Sequence, residues 1–202
     1  MMKPRNKVLV VSLEGNLELF DTTSFSAVQS QLMLDGRECR DCSWHVYTNT
    51  FAIADQHSIR GYDARNNRFC YTIPFNDYRN IRSVSTDDGY KVTFTTGSGC
   101  LVFGDVRTQK VLPIISDQQS QQSQRHAINS SPNVNGIISR PRYYEWIGGH
   151  VVPGAFYRET FFPHPVEQGI FTHSYDPSGL RLFIGGGPTL SEIEGSNASI
   201  LH

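Results

Sequence analysis

Cys100-Leu101-Val102-Phe103-Gly104-Asp105 is a short β-prone run that ends on a carboxylate, and two earlier runs end alike. They are Ser58-Ile59-Arg60-Gly61-Tyr62-Asp63 and Leu17-Glu18-Leu19-Phe20-Asp21. The three aspartates Asp21, Asp63 and Asp105 stand at equal intervals of 42 residues. Around the last run, Ser83-Val84-Ser85, Tyr90-Lys91-Val92-Thr93-Phe94-Thr95 and residues 110–115 are further β-prone pieces. They are separated by Thr86-Asp87-Asp88-Gly89 and Gly97-Ser98-Gly99. Gly accepts positive φ and Asp hydrogen-bonds its own backbone, so these separators read as turns in a four-strand meander.

A period of about 40–45 residues, with four strands per period and one strand closing on aromatic-Asp, is the pattern of WD repeats, one propeller blade per period. The expected fold class is therefore all-β, a WD-repeat β-propeller. Blades are expected at 42–73, 81–115 and 170–202, the last carrying the turn Asp176-Pro177-Ser178-Gly179. Residues 7–34 read as a partial blade without its innermost strand. Gly89 and Gly179 hold equivalent turn positions but lie 90 residues apart instead of 42. The excess places an inserted loop at 116–169. Its first half holds the run Asp117-Gln118-Gln119-Ser120-Gln121-Gln122-Ser123-Gln124, too polar to bury a core. Its second half holds Tyr143, Tyr144, Trp146, Ile147, Phe156, Tyr157, Phe161 and Phe162. Large apolar side chains are usually buried, so these are expected to pack the loop onto the propeller. A partner-binding surface is the alternative.

Composition excludes several classes of function. The 202 residues carry 18 Lys+Arg against 19 Asp+Glu, a net charge of −1. Holding nucleic acid or an anionic membrane electrostatically needs an excess of positive charge, so neither is an expected partner. Apolar runs such as Val8-Leu9-Val10-Val11 fall far short of the ~20 residues of a membrane helix. No secretory leader pattern follows Met1. Four Cys do not make a disulfide framework, which favours a reducing, intracellular setting.

Two chemical readings compete with a binding role. Cys39-Arg40-Asp41-Cys42 with His45 is half of a zinc set, but no second Cys/His pair follows at zinc-finger spacing. No metal and no other cofactor is therefore expected. His150, His164, His173 and Asp176 could supply acid–base groups, yet no G-x-S-x-G elbow, P-loop or H-E-x-x-H accompanies them. An enzyme is not expected.

Several pieces in fixed order carry a family resemblance. They are Ile81-Arg82-Ser83-Val84-Ser85, Thr95-Thr96-Gly97-Ser98-Gly99 and Leu101-Val102-Phe103-Gly104-Asp105-Val106-Arg107, then Phe161-Phe162-Pro163 after the insertion. Thr172-His173-Ser174-Tyr175-Asp176-Pro177-Ser178-Gly179 and Leu182-Phe183-Ile184-Gly185-Gly186-Gly187-Pro188 follow. Together they resemble the C-terminal part of the WD-repeat substrate receptors of the cullin-4 ubiquitin ligase, in the family of the damage-specific DNA-binding protein one and cullin-four associated factor twelve. The resemblance covers most of 42–202 apart from the Gln/Ser run.

It implies a non-catalytic receptor in the cytoplasm and nucleus, with two kinds of partner: the cullin-4 adaptor protein, and substrate proteins with acidic C-termini. Such receptors read C-terminal double-glutamate ends through a basic pocket. Arginine suits the task because its planar fork binds carboxylates in bidentate fashion. Arg82, on the Ile-Arg-Ser-Val-Ser piece, is carried over as the degron-binding residue. The family's aromatic-Asp-x-Arg box is matched by Tyr62-Asp63-Ala64-Arg65. Gly104-Asp105-Val106-Arg107 matches it with Gly in the aromatic place, whereas Phe20-Asp21-Thr22-Thr23 has no Arg. Arg65 and Arg107 are the candidates for adaptor contact, and Asp63 and Asp105 are expected to fix their own blades. Propellers of this family close with about seven blades, so about four of seven, one of them partial, are expected here. The chain then reads as the C-terminal part of a propeller. The rival reading is a WD-repeat interaction scaffold unrelated to any ligase.

Overall fold

The computed structural model describes residues 7–32, 38–75, 80–87, 89–112, 144–145, 150–164, 166–190 and 192–201. Four antiparallel sheets follow one another along the chain. The first contains β1 (Lys7–Val11), β2 (Asn16–Asp21) and β3 (Ser26–Leu32). The second runs in order through β4 (Cys39–His45), β5 (Thr50–Asp55), β6 (Ser58–Asp63) and β7 (Arg68–Pro74). The third is β8 (Ile81–Thr86), β9 (Lys91–Thr96), β10 (Cys100–Asp105) and β11 (Lys110–Leu112), with β12 (Tyr144–Glu145) also paired to β10. The fourth is built from β13 (His150–Val151), β14 (Gln168–Tyr175), β15 (Leu182–Pro188) and β16 (Gly195–Leu201), hydrogen-bonded in the order β13-β16-β15-β14. One short helix, α1 (Ala155–Thr160), lies between β13 and β14.

The sheets stand side by side, β4 against β8 and β8 against β14. The second strand of each sheet also meets the first strand of the next, β5 against β8 and β9 against β14. β1 meets β4 in the same way, so it occupies a second-strand position, and no described strand precedes it in its sheet.

Period-2 alternation explains why the central strands read as unbroken apolar runs. Successive side chains point to opposite faces, and both faces are covered by a neighbouring sheet. All six residues of β5 are buried. Phe51 and Ile53 pack with Leu17 and Leu19 of the first sheet. Ala52 and Ala54 pack with Val84, Val92 and Phe94 of the third. The last seam joins Leu101 to Ile170, Leu182 and Ile184.

The seams also carry polar latches. The Asp41 carboxylate accepts from the Val84 N–H at 2.8 Å. One sheet further on, Ser83 is hydrogen-bonded to Nδ1 of His173, whose Nε2 lies 3.1 Å from the Thr93 carbonyl. A carbonyl can only accept, so Nε2 carries the proton and Nδ1 accepts from the Ser83 hydroxyl.

The inserted region departs from a simple separate loop. β12 and β13 both fall inside 116–169, yet they pair with β10 of the third sheet and β16 of the fourth. Each gives hydrogen-bond partners to an edge otherwise open there. The insertion's aromatics also differ from expectation. Phe156 and Phe162 are 40% and 67% exposed, and α1 buries no residue. The reason is local: Phe156 packs edge-on to Phe161 and Tyr157 to Phe162, so these rings serve mainly one another. The Gln/Ser run, Tyr143, Trp146, Ile147 and the Tyr144 side chain lie outside the described residues.

Candidate functional site

Antiparallel pairing sorts the candidate residues onto two opposite rims. Cys39 at the start of β4 is opposite Asp55 at the end of β5, and Ser58 is opposite Pro74. One rim therefore collects the starts of β4 and β8, with Arg82. Asp63 and Arg68 pair at the far end, and Asp105 and Lys110 do so in the third sheet. The other rim collects the β6–β7 and β10–β11 turns, with Arg65 and Arg107.

On the first rim the ladder slips by one residue at the same place in three successive sheets. The shifts fall between Cys39 and Asp41, between Ile81 and Ser83, and between Ile170 and Thr172. The residues between are Arg40, Arg82 and Phe171. A bulge leaves its extra residue unpaired and re-aims the side chain, so each first strand presents one side chain outside the ladder. Arg40 was missed by the motif reading, although it precedes Arg82 by the same 42-residue interval that separates the aspartates.

Electrostatics couples the two arginines. Both are partly buried, and the Nε of each is buried without a hydrogen-bond partner among the described residues. Arg40 pairs through Nη2 with the Glu38 carboxylate. Burial and the neighbouring Arg40 guanidinium push the Arg82 pKa down, while Glu38 pulls it back up. Among the described residues Glu38 is ion-paired to Arg40 and not to Arg82, which leaves guanidinium donors and positive charge for an added anion.

On the opposite rim both aspartates are bound within their own turns. Asp63 Oδ1 accepts from the Arg65 N–H at 3.0 Å and from Nε at 2.9 Å, and its Oδ2 accepts from Nη2 at 3.0 Å. Asn66 Nδ2 adds a further bond at 2.7 Å. Asp105 and Arg107 repeat this arrangement, with 2.8 Å to the N–H and 2.9 Å between Nη2 and Oδ2. The Arg65 hydrogen bond, with its charge, holds the Asp63 carboxyl down to about 2 despite burial, and Arg107 lowers Asp105 likewise. Asn67 and Gln109 close these turns at φ 52° and 56°. The Asp21 turn is built alike and ends on Phe25 at φ 50°, with an 88% exposed ring.

Both arginines keep an outward surface, 64% exposed for Arg65 and 52% for Arg107. The Arg107 guanidinium lies 3.2 Å over the Tyr90 ring, and Tyr47 meets Tyr90 edge-on at 6.3 Å. A shallow pocket of about 130 Å³ adjoins Arg65, lined by Leu19, Trp44 and Phe51 among others.

The residues of the rival chemistries are placed differently. Burial pushes the Cys39 thiol up to about 12, and Cys42 is raised by burial as well. Burial thus disfavours their thiolate forms. Both ring nitrogens of His173 are engaged in the seam, and Asp176 accepts from Ser178 and from the Arg181 N–H within its own turn.

Four antiparallel sheets joined face to face by repeated seams, with first strands side by side, define a partial β-propeller of WD-repeat type. Over residues 2–202 the sequence matches the family described as the DDB1- and CUL4-associated factor 12 beta propeller, and the chain belongs to that family. Its members are substrate receptors of the CUL4–DDB1 ubiquitin ligase and are not themselves the catalysts.

Proposed function

We propose that this chain holds substrate proteins for a cullin-4 RING ubiquitin ligase by their acidic C-termini, with a terminal Glu-Glu as the degron. The observation that supports this reading is the Arg40–Arg82 pair on one rim, each with a buried Nε that has no acceptor among the described residues. A C-terminal Glu-Glu brings three carboxylates within a few ångströms, and guanidinium forks are the side chains best matched to them. Arg82 binds the degron in this reading and Arg40 assists it. Arg65 and Arg107, on the opposite rim, face the adaptor, so substrate and ligase engage the propeller from opposite ends. The balanced charge of the chain supports protein partners rather than nucleic acid or membrane, and work in the cytoplasm and nucleus accords with four cysteines that form no disulfide.

Calorimetry with a peptide ending in Glu-Glu tests the degron assignment. Binding is expected, and it should be lost when the terminal residues are Gln-Gln with an amidated end, or when Arg82 is changed to Glu. Loss of a desolvated charge pair costs about 2–5 kcal/mol, so a drop of at least about 30-fold is expected. Unchanged affinity of the Arg82→Glu protein would overturn the assignment. The scaffold alternative is separated by capture from cells: a receptor recovers the cullin-4 adaptor, and a scaffold does not.

A further inference from the structure

The bulged positions of three first strands form a row, and the row changes chemistry at its third member. Arg40 on β4, Arg82 on β8 and Phe171 on β14 are each the residue that the ladder skips, so all three are re-aimed at the same rim. The strands are tied side by side next to these residues. Asp41, which follows Arg40, accepts from the Val84 N–H. Ser83, which follows Arg82, is bonded to His173, two places beyond Phe171. An aromatic ring thus stands where the pattern would put a third arginine.

The ring has a seat of its own. A Cβ on Gly169 would stand 2.7 Å from Cε1 of Phe171 and 3.1 Å from the Gly97 carbonyl oxygen, so only a glycine lets the ring lie there. Gly97 belongs to the turn between β9 and β10, and the ring therefore borders the internal seam between the third and fourth sheets. The same turn is fixed to the start of β8, because the Gly97 N–H donates to the Asn80 carbonyl at 3.1 Å, two residues before Arg82. Phe171 remains 42% exposed in this seat. Apolar surface left in water gains free energy when an apolar group covers it.

We infer that Phe171 is a specificity-determining contact for substrate, receiving the apolar side chain of a residue shortly upstream of the acidic C-terminus. The inference rests on the degron reading, since an acidic end held by Arg40 and Arg82 is what brings the upstream chain to the ring. Packed sheets stand about 10 Å apart and an extended chain rises about 3.3 Å per residue. With the terminal pair on the arginines, the third to fifth residue from the end reaches Phe171. A basic side chain there would be repelled by the two guanidinium groups, and a carboxylate would meet the negative face of the ring. Leucine or methionine suits the position.

Calorimetry on the 202-residue protein tests this with peptides ending in Glu-Glu that carry either Leu or Ser at the third, fourth or fifth position from the end. The best Leu peptide should bind about five- to tenfold more tightly than the all-Ser peptide. Phe171→Ser should erase that preference and leave affinity for the all-Ser peptide unchanged, which a merely structural role for the ring would not do. A photoreactive leucine analogue at the preferred position should cross-link the parent protein to the segment holding Phe171, a readout that needs no variant to fold. Equal binding of the Leu and Ser peptides, a preference that survives in a folded Phe171→Ser protein, or cross-links only outside β14 would each overturn the inference and leave the degron reading standing. Failure of every peptide to bind would overturn the degron reading, and this inference with it.

Discussion

Ser83 on β8 and His173 on β14 are hydrogen-bonded across a seam although 90 positions separate them in sequence. Burial keeps the ring neutral there, so Nε2 donates to the Thr93 carbonyl and Nδ1 accepts from the Ser83 hydroxyl. Burial holds its pKa down to about 4 in the folded chain, against about 6.5 for a free imidazole. Below about pH 6.5 the unfolded chain takes up a proton that the folded chain refuses. The stability tied to this ring is thus full above that value and is lost as pH falls toward about 4, by up to ~3 kcal/mol. Burial lowers His45 as well, so its contribution has the same sign. Urea denaturation across this pH range should show the decline, and His173→Gln should be less stable near neutrality with a flatter pH dependence. A parent curve that stays level down to about pH 4.5 would contradict the assignment.

Gly61 on β6 faces Tyr71 on β7, and the tyrosine ring lies over the glycine. A Cβ at position 61 would stand 2.0 Å from Cε1 of that ring, which is itself nearly fully buried. The ring has nowhere to move without opening the second seam. Gly61→Ala is expected to destabilise by about 1–3 kcal/mol or more, the usual cost of overpacking a core. A melting temperature equal to the parent's would show that the ring can swing away.

The sheets were legible because a propeller repeats its chemistry. Turn residues and aspartates at a 42-residue period fix where each strand begins and ends, and packing on both faces makes central strands uniformly apolar. Arg40 escaped because its neighbourhood, Cys39-Arg40-Asp41-Cys42, resembles a metal half-site, and only the bulge shows that its side chain leaves the ladder as Arg82 does. The period alone would have found it. β13 could not be read at all: two residues, His150 and Val151, carry no alternation, and their place beside β16 follows from an edge completed by non-local pairing. Phe156 and Phe162 defeated the burial expectation because a six-residue helix can pair aromatics with each other without reaching a sheet.

Glu38 competes with any acidic ligand for Arg40, since its carboxylate is already paired with that guanidinium. Removing the charge while keeping the shape should free the arginine. Glu38→Gln is expected to tighten binding of a Glu-Glu peptide several-fold, Arg40→Ala to weaken it about tenfold, and added salt to reduce both differences. Titration of the two variants in low and high salt checks this. A Glu38→Gln protein that binds more weakly than the parent would mean that Glu38 orients Arg40 rather than competing for it.

Asp63 and Arg65 share the same bonds but should fail in different ways when replaced. The Asp63 carboxylate is buried and accepts from the Arg65 backbone N–H as well as its side chain, so Asp63→Ala strips a turn of its internal acceptor. A loss of about 1–3 kcal/mol is expected, the cost of leaving buried donors unpaired. Asp63 is also held down to about 2, so its stabilising effect is present above the ordinary carboxylate pKa and disappears as pH falls through that depressed value. Arg65→Ala and Arg107→Ala remove only the exposed partners, and surface ion pairs contribute little to stability. The double arginine variant should stay folded but melt somewhat below the parent, because the buried carboxylates lose their guanidinium partners, while capturing markedly less cullin-4 adaptor from cells. Asp63→Ala should lose fold and capture together, and so cannot by itself assign the adaptor face. Undiminished capture by the folded double variant would place the adaptor elsewhere on the propeller.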